Sequence, residues 1–96
     1  MTFETNFYIK PDAVIDTGKA VTLICEVFGA PDAIVSIKFK TKEISTERVY
    51  TISSATEAND GEYTCTVKKS QSDVTSIAKT LTLMVRCKYK VQSNLY

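Results

Sequence analysis

Residues 59–65 read Asn59-Asp60-Gly61-Glu62-Tyr63-Thr64-Cys65, and Val67 follows two positions on. Tyr63, Cys65 and Val67 alternate with Thr64, Thr66 and Lys68, a period of two that places an apolar face and a polar face on one strand. The polar stretch before it, Ala55 to Gly61, reads as a connection with room for a single helical turn. An equally strong pattern lies upstream, with Val21, Leu23, Cys25 and Val27 on one face, Thr22 and Glu26 on the other and Ile24 between those two. Between these strands, Val35, Ile37 and Phe39 alternate with Ser36, Lys38 and Lys40. A weak strand is expected around Ile44, then one from Arg48 to Ser53 with Tyr50 and Ile52 inward. Toward the N-terminus, Thr2 to Ile9 carries Phe3, Phe7 and Ile9 on one side. Lys10-Pro11-Asp12 ends it because proline has no N–H for a ladder. A short Ala13–Ile15 piece leads to the turn Asp16-Thr17-Gly18-Lys19, and Gly29-Ala30-Pro31-Asp32 is a second turn. After a hairpin tip at Lys69-Ser70-Gln71-Ser72-Asp73, the last strand runs from about Ser76 to Val85 with Leu81, Leu83 and Val85 inward. Seven or eight short antiparallel strands without a helical period between them predict an all-β sandwich of two sheets.

Composition supports this and narrows the chemistry. Val, Ile and Thr supply 30 of 96 residues against four Leu, which suits pleated, half-buried surfaces. Twelve basic and eleven acidic residues leave a net charge of +1, so no global field draws the chain to nucleic acid or an anionic membrane. No apolar run approaches the roughly 18–20 residues that span a bilayer, and no signal peptide opens the sequence. A secreted or membrane-anchored parent would therefore contain this chain as a fragment. The absence of His removes the Ser-His-Asp and Cys-His nucleophile arrangements and the usual zinc sites. The three glycines form no phosphate-cradling loop. No catalytic residues, metal site or cofactor are expected, and the chain reads as a binding or structural module.

Three cysteines allow three single bridges. Cys25 and Cys65 lie on the apolar sides of two strongly alternating strands, 40 residues apart, whereas Cys87 follows the last inward residue, Val85. A Cys25–Cys65 bridge across the core is favoured; the alternative is three reduced thiols in a cytosolic protein. Cys87 is then left for a following domain, a second chain, or no partner.

The segment from Asn59 to Cys65 resembles the immunoglobulin superfamily pattern D-x-G-x-Y-x-C, with Tyr63 at the tyrosine corner and Gly61 at the glycine. Val21-Thr22-Leu23-Ile24-Cys25 is similar to that family's B strand, Gly18 stands in the preceding turn, and Tyr50 and Ile52 match its next apolar pair. These matches cover residues 9 to 85 in one register. Two departures stand out. Asn59 replaces the usual Asp, which removes a negative charge while keeping an acceptor. The core Trp expected about twelve residues after the first cysteine is Ile37 here, with Phe39, Tyr50 and Phe28 available to fill the volume. The resemblance implies an immunoglobulin-like Greek-key sandwich of I-set or C2 type over residues 1–86, with little room between Phe39 and Arg48 for a C′–C″ pair. Residues 87–96 would be a linker or the stub of a following module. Cys25-Glu26-Val27-Phe28-Gly29-Ala30-Pro31, and a cysteine just past the last strand, also resemble Trp-less platelet-endothelial-type adhesion molecules and Fc-receptor-like ectodomains.

The resemblance implies recognition of a protein partner, homophilic or heterophilic, by a module in tandem with others on the extracellular face of the plasma membrane or in a secreted protein. An intracellular I-set spacer of a muscle or cytoskeletal protein and a secreted ligand-binding decoy are the alternatives. In the implied topology a candidate binding face carries Ser36, Lys38, Thr64, Thr66, Lys68, Thr80 and Thr82, extended by Lys69, Gln71 and Asp73 at a projecting hairpin tip. Lysines 38, 40, 42, 68 and 69 are dispersed over both ends of the domain, which disfavours an acidic-glycan site. No Asn-x-Ser/Thr sequon occupies either face.

Overall fold

The structure is a computed structural model and describes residues 4–69 and 76–87. Eight strands form: β1 (Glu4–Lys10), β2 (Val14–Asp16), β3 (Val21–Phe28), β4 (Ile34–Phe39), β5 (Lys42–Ser45), β6 (Val49–Ile52), β7 (Gly61–Lys68) and β8 (Ser76–Arg86). One sheet has the order β1-β3-β6 and the other β2-β8-β7-β4-β5, so the expected sandwich of two sheets is present. The ladders are antiparallel with one exception. After β1 ends at Lys10 and the cis peptide to Pro11, the chain crosses to the other sheet and lays β2 parallel to β8. The turn out of β2 has Gly18 at φ +89°, with the Lys19 N–H donating to the Asp16 carbonyl. Asymmetry also shows between Phe39 and Arg48. A two-residue turn at Lys40-Thr41 folds β5 back onto β4, and Thr46-Glu47-Arg48 then returns directly to β6 in the smaller sheet. That interval thus holds one strand of a C′–C″ pair.

Alternation converts directly into burial. Val21, Leu23 and Cys25 on β3, Val35 and Ile37 on β4, Tyr63, Cys65 and Val67 on β7, and Leu83 and Val85 on β8 all face the interior. Cys25 and Cys65 form a disulfide between the sheets, with a Cα–Cα distance of 6.4 Å. Cys25 pairs in register with Phe7, and Cys65 with Ile37. Ile37 is fully buried at the position where a tryptophan was missed. The volume beside it is filled by Phe7 from β1, Ile44 from β5 and Tyr50 from β6. Of the three aromatics expected there, only Tyr50 takes that role. Phe39 packs on the other half of the core, and Phe28 is 54% exposed. The reason is parity: Phe28 lies one residue past Val27, on the outward side of β3.

The turn before β7 is built from local hydrogen bonds. Thr56 caps the 3₁₀ turn Glu57–Asn59, its hydroxyl oxygen accepting from the Ala58 N–H, while Asn59 Oδ1 accepts from the Thr56 N–H at 2.8 Å. Asn59 is therefore used as a capping amide. The carboxylate comes from its neighbour: Asp60 Oδ2 accepts from the Val85 N–H at 2.8 Å, next to the point where β7 begins as the partner of β8. Tyr63 donates its hydroxyl to the Asn59 carbonyl at 2.7 Å, which completes the corner. Gly61 has φ +143°, and a Cβ there would lie 3.1 Å from the Phe39 ring. Glycine thereby leaves room for Phe39 to pack on Tyr63, ring centroids 4.6 Å apart.

Two outcomes follow from these contacts. Replacing Cys25 and Cys65 together by alanine is expected to lower the unfolding free energy by about 4 kcal/mol through chain entropy, measured by urea unfolding of the oxidised wild type and the variant. Tyr63 gives a pH signature. Burial, with smaller contributions from Tyr50 and Asp60, pushes its hydroxyl up to about 12. The folded chain thus holds the neutral phenol more tightly than the unfolded one, where the pKa is about 10. The resulting stabilisation is complete below pH 10 and lost as pH rises through 12. Tyr63→Phe should abolish that alkaline loss and cost about 1 kcal/mol at neutral pH, as followed by unfolding curves and phenolate absorbance.

Candidate functional site

The outward face of the five-stranded sheet is defined by its registers. Thr64 stands between Thr80 and Lys38, Thr66 between Ala78 and Ser36, and Lys68 between Ser76 and Ile34. Glu62 lies opposite Thr82. The structure therefore places Ser36, Lys38, Thr64, Thr66, Lys68, Thr80 and Thr82 on one surface, in the topology that the family resemblance implies. Lys69 is exposed just past the end of β7. Gln71 and Asp73 lie outside the described residues, as does most of the hairpin tip. Hydroxyls dominate the middle rows: Thr64 and Thr80 approach oxygen to oxygen at 3.2 Å, and Ser36 donates to Glu43 Oε1 at 3.0 Å.

Charges on this face are mixed. Lys38 pairs in register with Glu43 of β5, so β5 adds a carboxylate that alternation alone did not assign to the surface. Lys68 and Lys40 sit at opposite ends, because β4 runs antiparallel to β7 and the Lys40 N–H meets the Glu62 carbonyl. The lysines therefore form no single basic patch. Near the opposite edge of the sheet, Val14 and Met84 are in register and 39% and 52% exposed, beside an Asp16–Arg86 ion pair of 3.2 Å. This apolar corner depends on β2 pairing with β8 and was not anticipated.

Two other features complete the surface. A lateral cleft of about 420 Å³ opens between Ala33 and Val35 on one side and Thr46, Glu47, Arg48 and Val49 on the other. Arg48 reaches across to the Pro31 carbonyl at 2.8 Å. Among the described residues, no group of three or more His, Cys, Asp or Glu is placed to hold a metal ion, and Cys87 is an unbridged, half-buried thiol. The arrangement offers an exposed hydrogen-bonding surface, in which the Ser36–Glu43 contact lies open to solvent.

A family model described as an immunoglobulin domain matches residues 6–89. No curated protein sequence matches the chain. Among solved structures, the second Ig-C2 domain of human Fc-receptor-like A is similar at a TM-score of 0.71 and 17% identity, over 85% of this chain and 95% of that one. The N-terminal four Ig domains of Dscam1 isoform 7.44 are similar at a TM-score of 0.72 and 24% identity, over 88% of this chain and 21% of that one. The twitchin kinase fragment of C. elegans, which combines a kinase with immunoglobulin domains, gives a TM-score of 0.65 and 20% identity over 88% and 21%. This chain thus spans about a fifth of the Dscam1 and twitchin chains, and at these identities the likeness is one of fold. Domains of this class are generally non-catalytic, bind proteins and recur in tandem. The family match begins two residues into β1 and continues past the end of β8. Because the similarity covers the whole sandwich and not one motif, the chain belongs to the immunoglobulin domain family.

Proposed function

We propose that this chain is an extracellular recognition module of a cell-surface adhesion or immune-type receptor, with residues 87–96 leading into a following module. The observation that carries this reading is the core disulfide between Cys25 and Cys65, because such bridges form and persist in oxidising compartments. Recognition is assigned to the outward face of the five-stranded sheet. Its threonines, Ser36 and paired charges suit a hydrated, reversible contact better than an obligate apolar one. A partner would lie across the Thr64–Thr66 rows at the centre and find Lys38, Glu43, Glu62 and Lys68 at the rim. Hydroxyls there can donate or accept, so the same face serves a homophilic or a heterophilic partner.

An intracellular spacer is the competing reading, and the similarity to the twitchin fragment supports its architecture without supporting its compartment. Thiol state separates the two. Protein from its native source, alkylated without reduction and digested, is expected to yield the Cys25–Cys65 cross-linked peptide in mass spectra; free thiols at both positions would remove the receptor reading. For the face, binding to an array of cell-surface ectodomains should fall at least tenfold on Thr66→Arg. It should be unchanged on Thr51→Arg, which sits on the outer face of the other sheet. Equal effects of both substitutions would move recognition away from this face.

A further inference from the structure

The three-stranded sheet ends at β1: no described strand hydrogen-bonds to its outer edge, and β8 of the other sheet passes close beside it. At seven residues it is the longest of the four edge strands, the others having three or four. Residues along an antiparallel strand turn their N–H and C=O groups alternately to one neighbour and the other. The Cys25 N–H donates to the Arg48 carbonyl on the β6 side. Odd residues of β3 therefore bond toward β6 and even residues toward β1. In the β1–β3 register, Glu26 and Ile24 face Asn6 and Tyr8, so those are the bonded pairs. Thr5, Phe7 and Ile9 are left with their backbone donors and acceptors directed at the free edge.

Charge is placed at the two ends of this edge. Glu4 and Lys10 are both exposed, lie on the same outward side of β1, and are equidistant from Phe7. We propose that β1 pairs antiparallel with β1 of a second copy of this chain, about a two-fold axis at Phe7, to join the two small sheets into one of six strands. In that register Phe7 opposes Phe7 of the second copy and Thr5 opposes Ile9 of the second copy, so every edge-directed backbone group meets a complementary one. The same register sets Glu4 against Lys10 of the second copy, and this occurs twice by symmetry. Opposite charges directly across a strand pair stabilise it and like charges oppose it. A slip of two residues keeps the hydrogen-bond parity but loses both ion pairs. A parallel in-register pairing stacks Glu4 on Glu4 and Lys10 on Lys10. The end charges thus select one closed, isologous arrangement and disfavour open-ended stacking. Pro11, without an N–H, stops the ladder just beyond Lys10.

The contact is about 24 Å long, at roughly 3.4 Å per residue, and one strand wide. That is well short of the roughly 800 Å² per partner of a standard interface. The dimer is accordingly weak and concentration-dependent, a strength suited to arrays of modules in which several contacts act together.

Sedimentation equilibrium of the 96-residue chain from about 10 μM to 1 mM is the test. The wild type is expected to show a reversible monomer–dimer equilibrium. Glu4→Lys and Lys10→Glu, each at an exposed site, are each expected to weaken it at least tenfold while leaving the circular dichroism melting curve in place. An equimolar mixture of the two variants should recover dimerisation to within about twofold of the wild type, since only unlike pairs are productive: among the variant pairings, Lys faces Glu at both ends only in the mixed one. Amide exchange at Thr5, Phe7 and Ile9 should slow with rising concentration. A wild type that stays monomeric at 1 mM, a dimer indifferent to both charge reversals, or protection confined to other strands would each overturn the proposal.

Discussion

The covalent tie between Cys25 and Cys65 is the constraint around which the rest of the chain is arranged. It joins the central strand of the small sheet to the central strand of the large one, so the facing sheets are held together near their middles. Each cysteine fixes a neighbour: Phe7 lies opposite Cys25 and Ile37 opposite Cys65. Inward residues on four strands thereby acquire defined partners across the core. In a domain of this size the apolar core is small, and a cross-link that closes a 40-residue separation supplies a large share of the net stability.

The corner at the start of β7 does a different job. Gly61 leaves space for Phe39 to lie on Tyr63, and Tyr63 reaches back to the Asn59 carbonyl. Asp60 then receives the Val85 N–H adjacent to the end of the β7–β8 ladder. The turn is thus bound to both the interior and the neighbouring strand. The missing indole is compensated at the other end of the core, where Phe7, Ile44 and Tyr50 from three further strands pack against the cluster that contains Ile37. A single large residue has been exchanged for several smaller contributions, which conserves volume and disperses the contact over β1, β5 and β6.

Outside the core the two sheets are unlike. The large one presents threonines and paired charges, and the small one ends in a long edge of unpaired backbone. The β1 edge adjoins β8, the strand that carries Thr80 and Thr82 of the large sheet's outward face, so the two surfaces are neighbours.

Local information was sufficient wherever burial follows parity. Val21, Leu23, Cys25, Ile37, Tyr63, Cys65 and Val67 announce their inward positions by alternation, because a strand exposes successive side chains to opposite faces. Glycine and proline mark the turns at Gly18 and Pro11 for equally local reasons, and the strand count, the disulfide and the polar outer face come with them. Three properties required the tertiary structure. The parallel docking of β2 on β8, which creates the exposed Val14–Met84 corner, is a choice of sheet and not of strand. Filling the space beside Ile37 depends on which distant residues approach it, so Phe7 and Ile44 were unreadable from spacing while the exposure of Phe28 was readable from parity. The identity of the edge strands depends on where each sheet stops. Periodicity determines which way a side chain points, since that is set by its own backbone; which chain lies beside it is decided only when the sheets assemble.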